Sequence, residues 1–278
     1  MNRSMFHSSA SASFHFDNPS LQRSGGHGSI VTPFARALSV LSAFTLKDRW
    51  LGNGDLAQRT GLPASTVTRM TRTLIALGYL RCSADTRRFC LSPSALTLGY
   101  RAAADTEIHY AVNHHMAQFA ERHHVQVHLS LRDKFNLVII DSCRTSALPA
   151  LLQPGIGTRL LLASSAAGWA LLASLPETER NYLLQSMKYP PQDAGKQIRL
   201  RLNEAIGQIR EDGFCVALGQ SGQPMTMVAA PIKLSGQAPL AVSCMGPAML
   251  MGRARSVREL GPALVRMTQK IQHGQEPP

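Results

Sequence analysis

Two short helical patterns joined at Gly61 and Pro63 constrain the fold more than any other part of the sequence. The stretch "GDLAQRTG" predicts a short helix that ends at Gly61, a residue type favoured just past a helix C-terminus. Pro63 then suits the first turn of the next helix, where its missing N–H is not needed. Two helices joined by a tight Gly-Leu-Pro turn are typical of a helix-turn-helix motif.

The segment before this motif predicts a further helix. In "TPFARALSVLSAF", Thr32 is the expected N-cap and Pro33 is the first helical residue. Four apolar residues recur at helical spacing and form one stripe: Phe34, Leu38, Leu41 and Phe44. An amphipathic helix therefore precedes the motif.

The segment after Pro63 predicts a longer helix and then a hairpin. In "PASTVTRMTRTLIALGYL" the helix ends at Gly78, and its inward stripe consists of Val67, Met70, Leu74 and Leu77. The stretches "YLRC" and "FCLS", separated by the polar turn "SADTRR", predict a β-hairpin. Three helices and a two-stranded ribbon predict a winged helix-turn-helix domain over residues 30–92.

The outward face of the third predicted helix is polar and lacks acidic residues. In a winged helix-turn-helix this helix enters the major groove of double-stranded DNA, while neighbouring groups contact phosphates. We therefore predict DNA contacts from the helix and the hairpin tip, at Ser65, Thr66, Thr68, Arg69, Arg72, Arg87 and Arg88. The alternatives are an ordinary solvated helix surface and, for the two hairpin arginines, charge that only aids solubility.

The charge distribution favours a polyanion partner for the first part of the chain. The sequence has 29 Lys and Arg against 17 Asp and Glu, a formal net charge of +12. Residues 1–104 hold twelve basic and four acidic residues, whereas the remaining residues hold seventeen and thirteen. Because Lys and Arg release counterions on meeting phosphates, the more basic first part suits nucleic acid. Ribosomal and membrane-surface proteins share such charge, so the motif carries more weight.

Other features of the sequence bear on its compartment. The apolar runs are shorter than the roughly 18 residues that a membrane span needs, and no apolar signal region opens the chain. Five cysteines without a CxxC pair are typical of reduced thiols. We therefore expect a cytoplasmic protein without a membrane partner. Residues 1–29 are rich in Ser, Gly and His and lack periodicity, which predicts a disordered tail.

The chain beyond the hairpin predicts a linker helix and a second domain. The linker helix covers residues 93–106, the second domain residues 107–273, and residues 274–278 form a tail. Strand-like stretches are "VQVHLSLRD", "NLVIIDSCR", "CVALG", "TMVAAPIKL" and "PLAVSCMG". Helical patterns at residues 165–175, 177–185, 199–211 and 257–272 alternate with them. This order predicts an α/β domain with a mostly antiparallel sheet.

From Ser29 to Ile271 the residues resemble the IclR family of bacterial transcription regulators. The matching stretches, in the family's order, are "ARALSVLSAF", "LAQRTGLPASTVTRMTRTLIALGYL", "FCLSPSALTLG", "VHLSLRD", "LVIIDS", "GTRLLLASSAAGWALLASLP", "IREDGFCVA", "VAAPI" and "AVSCMGP". The resemblance implies an α+β protein with a winged helix-turn-helix, a linker helix used in dimerisation and a GAF-like α/β effector domain. It also implies a homodimer or homotetramer that activates or represses a catabolic operon, with RNA polymerase as a partner of an activator.

The resemblance also implies where a small-molecule effector binds. In the family the effector lies between the sheet and loops that correspond to residues 164–168, 217–227 and 243–246. Family members usually carry an acidic run where this chain has residues 217–220, an Arg-Cys pair where it has Thr226 and Met227, and a second serine where it has Met245. The effector-binding residues carried over are Ser164, Ser165, Ala166, Ala167, Ala217, Met225, Met227, Ser243 and Met245.

These departures predict an effector with an apolar body. Three methionines would form an adaptable apolar pocket, and a small oxoacid would bury too little surface there at about 25 cal/mol per Å². An aromatic ring with one carboxylate fits better. The anionic group would be held by backbone N–H groups and by Ser164, Ser165 and Ser243.

An enzyme is a weaker hypothesis for this sequence. Ser243 or Cys244 could act as a nucleophile with His128 as its base, but the chain has no GxSxG, HExxH or paired-carboxylate motif. We therefore predict no catalytic residue and no cofactor. The functional alternative to a regulator is a small-molecule-binding protein or enzyme whose basic first part is an interaction module.

Two further patterns suggest metal or redox chemistry. The pairs His114-His115 and His123-His124 lie nine residues apart, which places them on opposite faces of a helix. Two such pairs cannot close one tetrahedral site, so no metal is predicted. Cys82 and Cys90 could face each other across the hairpin, which leaves a redox-sensing disulfide as a minor hypothesis.

Overall fold

The structure is a computed structural model that describes residues 31–45, 48–104, 108–145, 154–187, 193–219, 225–234 and 238–274. Its contacts divide the chain into two compact units, Met1–Ala102 and Ala103–Pro278. The predicted tail at residues 1–29 lies outside the described residues, as do residues 105–106 of the linker and nearly all of the C-terminal tail. Within the described ranges, no helix has both the length and the apolar character needed to cross a bilayer.

The first unit contains three helices followed by a hairpin and a fourth helix. They are α1 (Thr32–Ser42), α2 (Asn53–Thr60), α3 (Ala64–Ala76), β1 (Leu80–Cys82), β2 (Phe89–Leu91) and α4 (Pro93–Ala104). β1 and β2 pair in antiparallel fashion, and Leu51 adds an antiparallel bridge to Phe89. The predicted winged helix-turn-helix order is confirmed.

The core of the first unit joins all three helices to the hairpin. Its buried residues are Val40, Ala43, Leu51, Leu56, Val67, Met70, Leu74 and Leu80. The predicted stripe of α1 is partly wrong, because Phe34 and Leu38 are 65% and 46% exposed. The side of α1 that carries Val40 and Ala43 packs inward instead. The N-cap is Val31 rather than Thr32, and it makes no side-chain capping bond.

Leu77 is not part of the core stripe of α3. The helix ends at Ala76, and Leu77 is 63% exposed. Gly78 has a φ of +80°, a left-handed conformation that suits glycine because it lacks a Cβ. The Gly78 N–H bonds the Ile75 carbonyl, and the Tyr79 N–H bonds the Leu74 carbonyl. These two bonds form a Schellman ending that turns the chain away before Leu77 can reach the core.

The second unit is built around one sheet. Its elements are α5 (Ile108–His123), β3 (Gln126–Asp133), β4 (Asn136–Arg144), β5 (Arg159–Leu161), α6 (Ala166–Ser174), α7 (Glu177–Ser186), α8 (Asp193–Asp212), β6 (Cys215–Ala217), β7 (Met225–Ile232), β8 (Leu240–Pro247), α9 (Arg253–Arg255) and α10 (Gly261–His273). A π-helical turn, Ser256–Leu260, joins α9 to α10. The strand order is β5-β4-β3-β8-β7-β6, and every pairing is antiparallel. The predicted α/β domain with a mostly antiparallel sheet is confirmed, although β5 was not predicted.

Helices cover both faces of this sheet. On one face, α5 and α10 pack against strand residues such as Val127, Leu129 and Val242. On the other face, α6 and α8 pack against Cys215, Ala229 and Ala241. We call the second surface the α6/α8 face. Because side chains alternate along a strand, residues two apart share a face.

Residues 162–165 connect edge strand β5 to α6, which lies on the α6/α8 face. The first carbonyl of α6, that of Ala166, accepts a 3.5 Å hydrogen bond from the Cys215 thiol on the other edge strand. A Cβ on Gly168 would lie 2.1 Å from the carbonyl oxygen of Leu162. Only glycine permits this approach, so Gly168 lets the first turn of α6 rest on the connecting segment.

Candidate DNA-binding surface and effector site

The exposed side of α3 carries the residues predicted to contact DNA. Ser65, Arg69 and Arg72 are exposed at helical spacing, whereas Thr66 and Thr68 are half-buried on the flanks of this stripe. Val67, Met70, Thr71 and Leu74 face the core. The helix therefore presents two arginines and a serine to solvent from a backbone that is anchored along its opposite side.

The predicted arginines are not paired with carboxylates. Arg69, Arg72, Arg87 and Arg88 are all exposed, and none makes an ion pair with another described residue. Arg59, Arg132, Arg159 and Arg255, by contrast, each hold an acidic partner. The charge of the first group is therefore available to an external polyanion.

Asn53 fixes the start of α3 and was not singled out by the sequence. Its Nδ2 donates to the carbonyl of Ala64 at 3.1 Å, and its Oδ1 lies 3.3 Å from the Thr68 hydroxyl. The Thr68 hydroxyl also donates to the Ala64 carbonyl at 2.9 Å. Thr68 is thus partly engaged within the motif, and Asn53 ties the two helices at their closest ends. A polar residue opening α2 was the signal available in the sequence.

An ion pair ties α2 to the segment that follows α1. Arg59 donates to both carboxylate oxygens of Asp48, with Nη2 to Oδ1 at 2.9 Å, and to the Ala43 carbonyl at 3.0 Å. The N–H and hydroxyl of Thr45 bond the same carboxylate. The Arg59 guanidinium, as the main cause, lowers the pKa of Asp48 to about 2. This clamp fixes the position of α2 beside α3.

The hairpin tip places two arginines at the end of the ribbon. The Ser83 N–H bonds the Arg88 carbonyl, and the Arg87 N–H bonds the Ser83 carbonyl. Arg87 has a φ of +51°, a left-handed conformation uncommon for a residue with a side chain. A left-handed residue late in a short loop is frequent in hairpins.

The two hairpin cysteines do not face each other. Cys82 lies opposite Phe89, and Cys90 lies opposite Arg81. Directly opposite residues share a face of an antiparallel ribbon, so the thiols point to different faces. Cys82 is exposed whereas Cys90 is buried. The hypothesis of a disulfide between them is wrong.

Most of the predicted effector residues lie on the α6/α8 face. The strand registers place Gln126, Met245, Met227 and Ala217 side by side across β3, β8, β7 and β6. The next row inward is His128, Ser243, Ala229 and Cys215. Met225 lies two residues before Met227 on β7 and shares its face. The structure thus brings together Ala217, Met225, Met227, Ser243 and Met245, while residues 220–224 of the predicted loop lie outside the described residues.

The remaining predicted effector residues are at the start of α6. Ala166 and Ala167 are fully buried and belong to the same apolar cluster as Ala229. Ser165 is the N-cap: its Oγ accepts from the Gly168 N–H at 3.1 Å and donates to the Leu161 carbonyl at 2.8 Å. Ser164 is exposed. A helix N-terminus of this kind offers backbone N–H groups to an anion.

A buried polar cluster lies beside these residues and was not predicted. Its unpartnered atoms, within the part of the chain that the structure describes, are Gln126 Oε1, both ring nitrogens of His128, Ser130 Oγ and Ser243 Oγ. Each residue is at most 3% exposed. Burial lowers the pKa of His128 to about 4, so its ring is neutral near pH 7. Polar residues at successive inward positions of β3 were the sequence signal.

The hypothesised catalytic and metal groups have other surroundings. His128 and Ser243 are neighbours across β3 and β8, yet no hydrogen bond joins them. Burial raises the pKa of the Cys244 thiol to about 12, which opposes nucleophilic chemistry. His114 contacts Gln118, and His123 contacts Glu259. Among the described residues, no three His, Cys, Asp or Glu side chains are grouped as metal ligands.

The fold and these surfaces define a class of protein. A winged helix-turn-helix with unpaired arginines on its third helix, followed by a separate α/β domain, is the organisation of a DNA-binding transcription regulator. The family model described as the IclR helix-turn-helix domain matches residues 34–82. The model of the bacterial transcriptional regulator IclR C-terminal domain matches residues 100–273. The chain therefore belongs to the IclR family of bacterial transcriptional regulators, and it is not an enzyme.

Individual relatives extend over nearly the whole chain. The HTH-type transcriptional regulator TsaQ1/TsaQ2 of Comamonas testosteroni is 28% identical over 260 residues, 93% of each protein. The crystal structure of an IclR family transcriptional regulator from Brucella abortus has a TM-score of 0.76 at 30% identity, covering 91% of this chain and 97% of that one. An IclR homologue from Microbacterium hydrocarbonoxydans, complexed with 4-hydroxybenzoate, shares the fold with a TM-score of 0.69 at 20% identity, covering 87% and 98%.

Proposed function

We propose that this chain is a ligand-responsive regulator that binds a double-stranded operator through α3 and the hairpin and controls a catabolic operon. The observation that carries the proposal is the row of exposed, unpaired arginines on α3. In this arrangement Ser65, Thr66, Thr68 and Arg69 approach base edges in the major groove. Arg72, Arg87 and Arg88 approach phosphates.

Operator binding is tested on DNA that flanks the chain's own gene. Footprinting finds the protected segment, and a mobility-shift titration then compares Arg69→Ala with the unchanged protein. We expect affinity to fall by about 10- to 100-fold, the usual contribution of an arginine that contacts a base. Arg210→Ala, an exposed arginine on α8, serves as the matched control and should bind normally. Equal, sequence-independent binding by both variants would favour the alternative of a basic interaction module.

We also propose that the α6/α8 face binds an aromatic or other apolar carboxylic acid. The adjacent Met227 and Met245 supply an apolar surface, and the buried Ala166 and Ala167 leave room above it. The carboxylate would lie at the start of α6, near Ser164 and Ser165, where backbone N–H groups favour an anion. The complex of the Microbacterium homologue with 4-hydroxybenzoate gives one example of such a ligand in this fold.

Calorimetric titration separates this effector class from the small oxoacids. Benzoate should bind more tightly than glyoxylate or pyruvate, since at about 25 cal/mol per Å² a ring gains several kilocalories from burial. Met227→Ser should weaken benzoate and leave the small acids unaffected. Tighter binding of glyoxylate or pyruvate would eliminate the aromatic proposal.

The same regulator would act as a homodimer or homotetramer in the cytoplasm. Exposed apolar side chains in the first unit, Phe34 and Leu38 on α1 and Leu96 and Leu98 on α4, suit contact with a second copy. Two copies would match a two-fold symmetric operator. Analytical ultracentrifugation of the unchanged protein and of Leu96→Glu tests this: a monomeric unchanged protein would refute it. RNA polymerase is a further partner if the regulator activates.

A further inference from the structure

The unpartnered polar atoms on the α6/α8 face form one group. His128 lies directly opposite Ser243, and Ser130 is two residues further along β3 on the same face. Gln126 is two residues before His128 and completes the row on β3. Opposite residues of an antiparallel pair have Cβ atoms about 5 Å apart, so a single small group can reach several of these atoms.

Leaving these atoms without partners is unfavourable. A buried polar group without a hydrogen bond loses its hydration and gains nothing in return. Gln126 has spent its amide hydrogens, because Nε2 donates to Ser142 Oγ at 2.9 Å and to the Pro154 carbonyl at 3.1 Å. Its Oε1 can only accept. The row is therefore incomplete in a defined way, and it calls for a partner that donates as well as accepts.

The charge around the row decides which chemical group suits it. Among the described strand residues directed to this face, the charged ones are Arg132 and Arg144. Arg132 is paired with Glu179 at 2.7 Å, and Arg144 is exposed at the end of β4. The row itself contains no cation, because burial keeps the pKa of His128 low and its ring neutral. A carboxylate placed here would lose its hydration without a compensating charge.

We propose that Gln126, His128, Ser130 and Ser243 form an uncharged recognition site for a hydroxyl group carried by the effector. The inference rests on the proposed aromatic-acid effector and assigns the end of that molecule opposite to its carboxylate. A hydroxyl donates one hydrogen bond, to Gln126 Oε1 or to the free ring nitrogen of His128. Its oxygen accepts from the imidazole N–H or from the two serine hydroxyls. A carboxylate would turn its lone pairs toward Gln126 Oε1, so Ser243 binds the neutral end rather than the anionic one.

The test compares a hydroxyl with a methyl group at the same ring position. The 3- and 4-hydroxybenzoates and the matching 3- and 4-methylbenzoates are titrated calorimetrically into the full-length protein. The better hydroxybenzoate should bind at least about tenfold more tightly than its methyl analogue, because a site built to hydrogen-bond a hydroxyl rejects an analogue without one. In Ser243→Ala and His128→Asn this preference should shrink severalfold. Ser186→Ala, an exposed serine on α7, should keep it.

A second measurement needs no ligand. If the serine hydroxyls lack partners in the protein alone, the melting temperatures of Ser130→Ala and Ser243→Ala should equal or exceed that of the unchanged chain. A fall of several degrees in either variant would show that the hydroxyls are bonded within the fold and would overturn the inference.

The outcomes distinguish this inference from the proposed function. Benzoate binding with equal affinities for hydroxyl and methyl analogues overturns the hydroxyl site alone. Failure of every benzoate to bind overturns the effector class and the inference with it. A hydroxyl preference that survives in both Ser243→Ala and His128→Asn places the hydroxyl elsewhere and is equally fatal.

Discussion

The two units of this protein hold their unpaired hydrogen-bonding groups in opposite environments. In the winged helix-turn-helix these groups are exposed and charged, as at Arg69 and Arg72. In the sheet unit they are buried and neutral, as at His128 and Ser243. An unpaired charge in water costs little, whereas an unpaired polar group in the interior costs about 1–3 kcal/mol. The first environment suits a polyanion that stays in solvent, and the second suits a small molecule that enters the fold.

The largest effect is expected when both arginines of α3 are removed. In Arg69→Ala with Arg72→Ala, operator affinity should fall by about 100- to 1000-fold, and the salt dependence should become shallower. The melting temperature should not change, because neither side chain contributes to the core. Mobility shifts at two salt concentrations and a thermal melt measure both quantities. Lost stability with retained affinity would reverse the contrast between the two units.

His128 should make the sheet unit sensitive to mild acid. Its pKa is about 4 in the folded chain against 6.5 for the free side chain, so between these values the unfolded state binds the extra proton. The free energy of unfolding is therefore complete above pH 6.5 and falls as the pH drops toward 4, by about 2 kcal/mol between pH 7 and pH 5. Urea titrations at both pH values measure the fall.

Matched variants separate His128 from the other histidines. His128→Asn should abolish most of this pH dependence. His124→Asn should not, because His124 is exposed, and asparagine tolerates its left-handed φ of +50°. Identical pH profiles for the two variants would mean that His128 is not the group that titrates.

A smaller effect is expected from the clamp in the winged helix-turn-helix. Asp48→Asn weakens the Arg59 pair and should reduce stability by about 1–2 kcal/mol near neutral pH, after allowance for solvent screening at the half-exposed arginine. The pKa of Asp48 is lowered to about 2, so this contribution is present above pH 4 and is lost as the pH falls toward 2. Asp133→Asn, which breaks the more exposed pair with Arg159, should cost less than about 0.5 kcal/mol. Equal losses in the two variants would refute the clamp.

The smallest effect concerns the hairpin tip. Arg87→Asn removes the charge and keeps a residue that accepts a positive φ, so stability should be unchanged. Operator affinity should fall severalfold, and the slope of log affinity against log salt should decrease by about 0.9 for one lost phosphate contact. Asp85→Asn, at the same tip, should raise affinity slightly. An unchanged salt slope in Arg87→Asn would remove the hairpin from the interface.

Local patterns in the sequence predicted much of this structure. Gly61 and Pro63 announced the boundary between α2 and α3, and the alternation in residues 126–133 announced a strand. Phe34, Leu38 and Leu77 were assigned wrongly to core-facing stripes because helical spacing does not state which neighbours lie opposite. The three residues of β5 were too few for a recognisable pattern, and they are a strand only because β4 lies beside them.

What the sequence by itself determined is the order of elements, the basic third helix and the family to which the chain belongs, because each depends on neighbours along the chain. Tertiary structure decided which side chains remain without partners. Gln126 and Ser243 are far apart in sequence, and only the pairing of β3 with β8 brings them beside His128. Whether an arginine is free depends in the same way on a carboxylate from another element, as the pair of Arg59 and Asp48 shows.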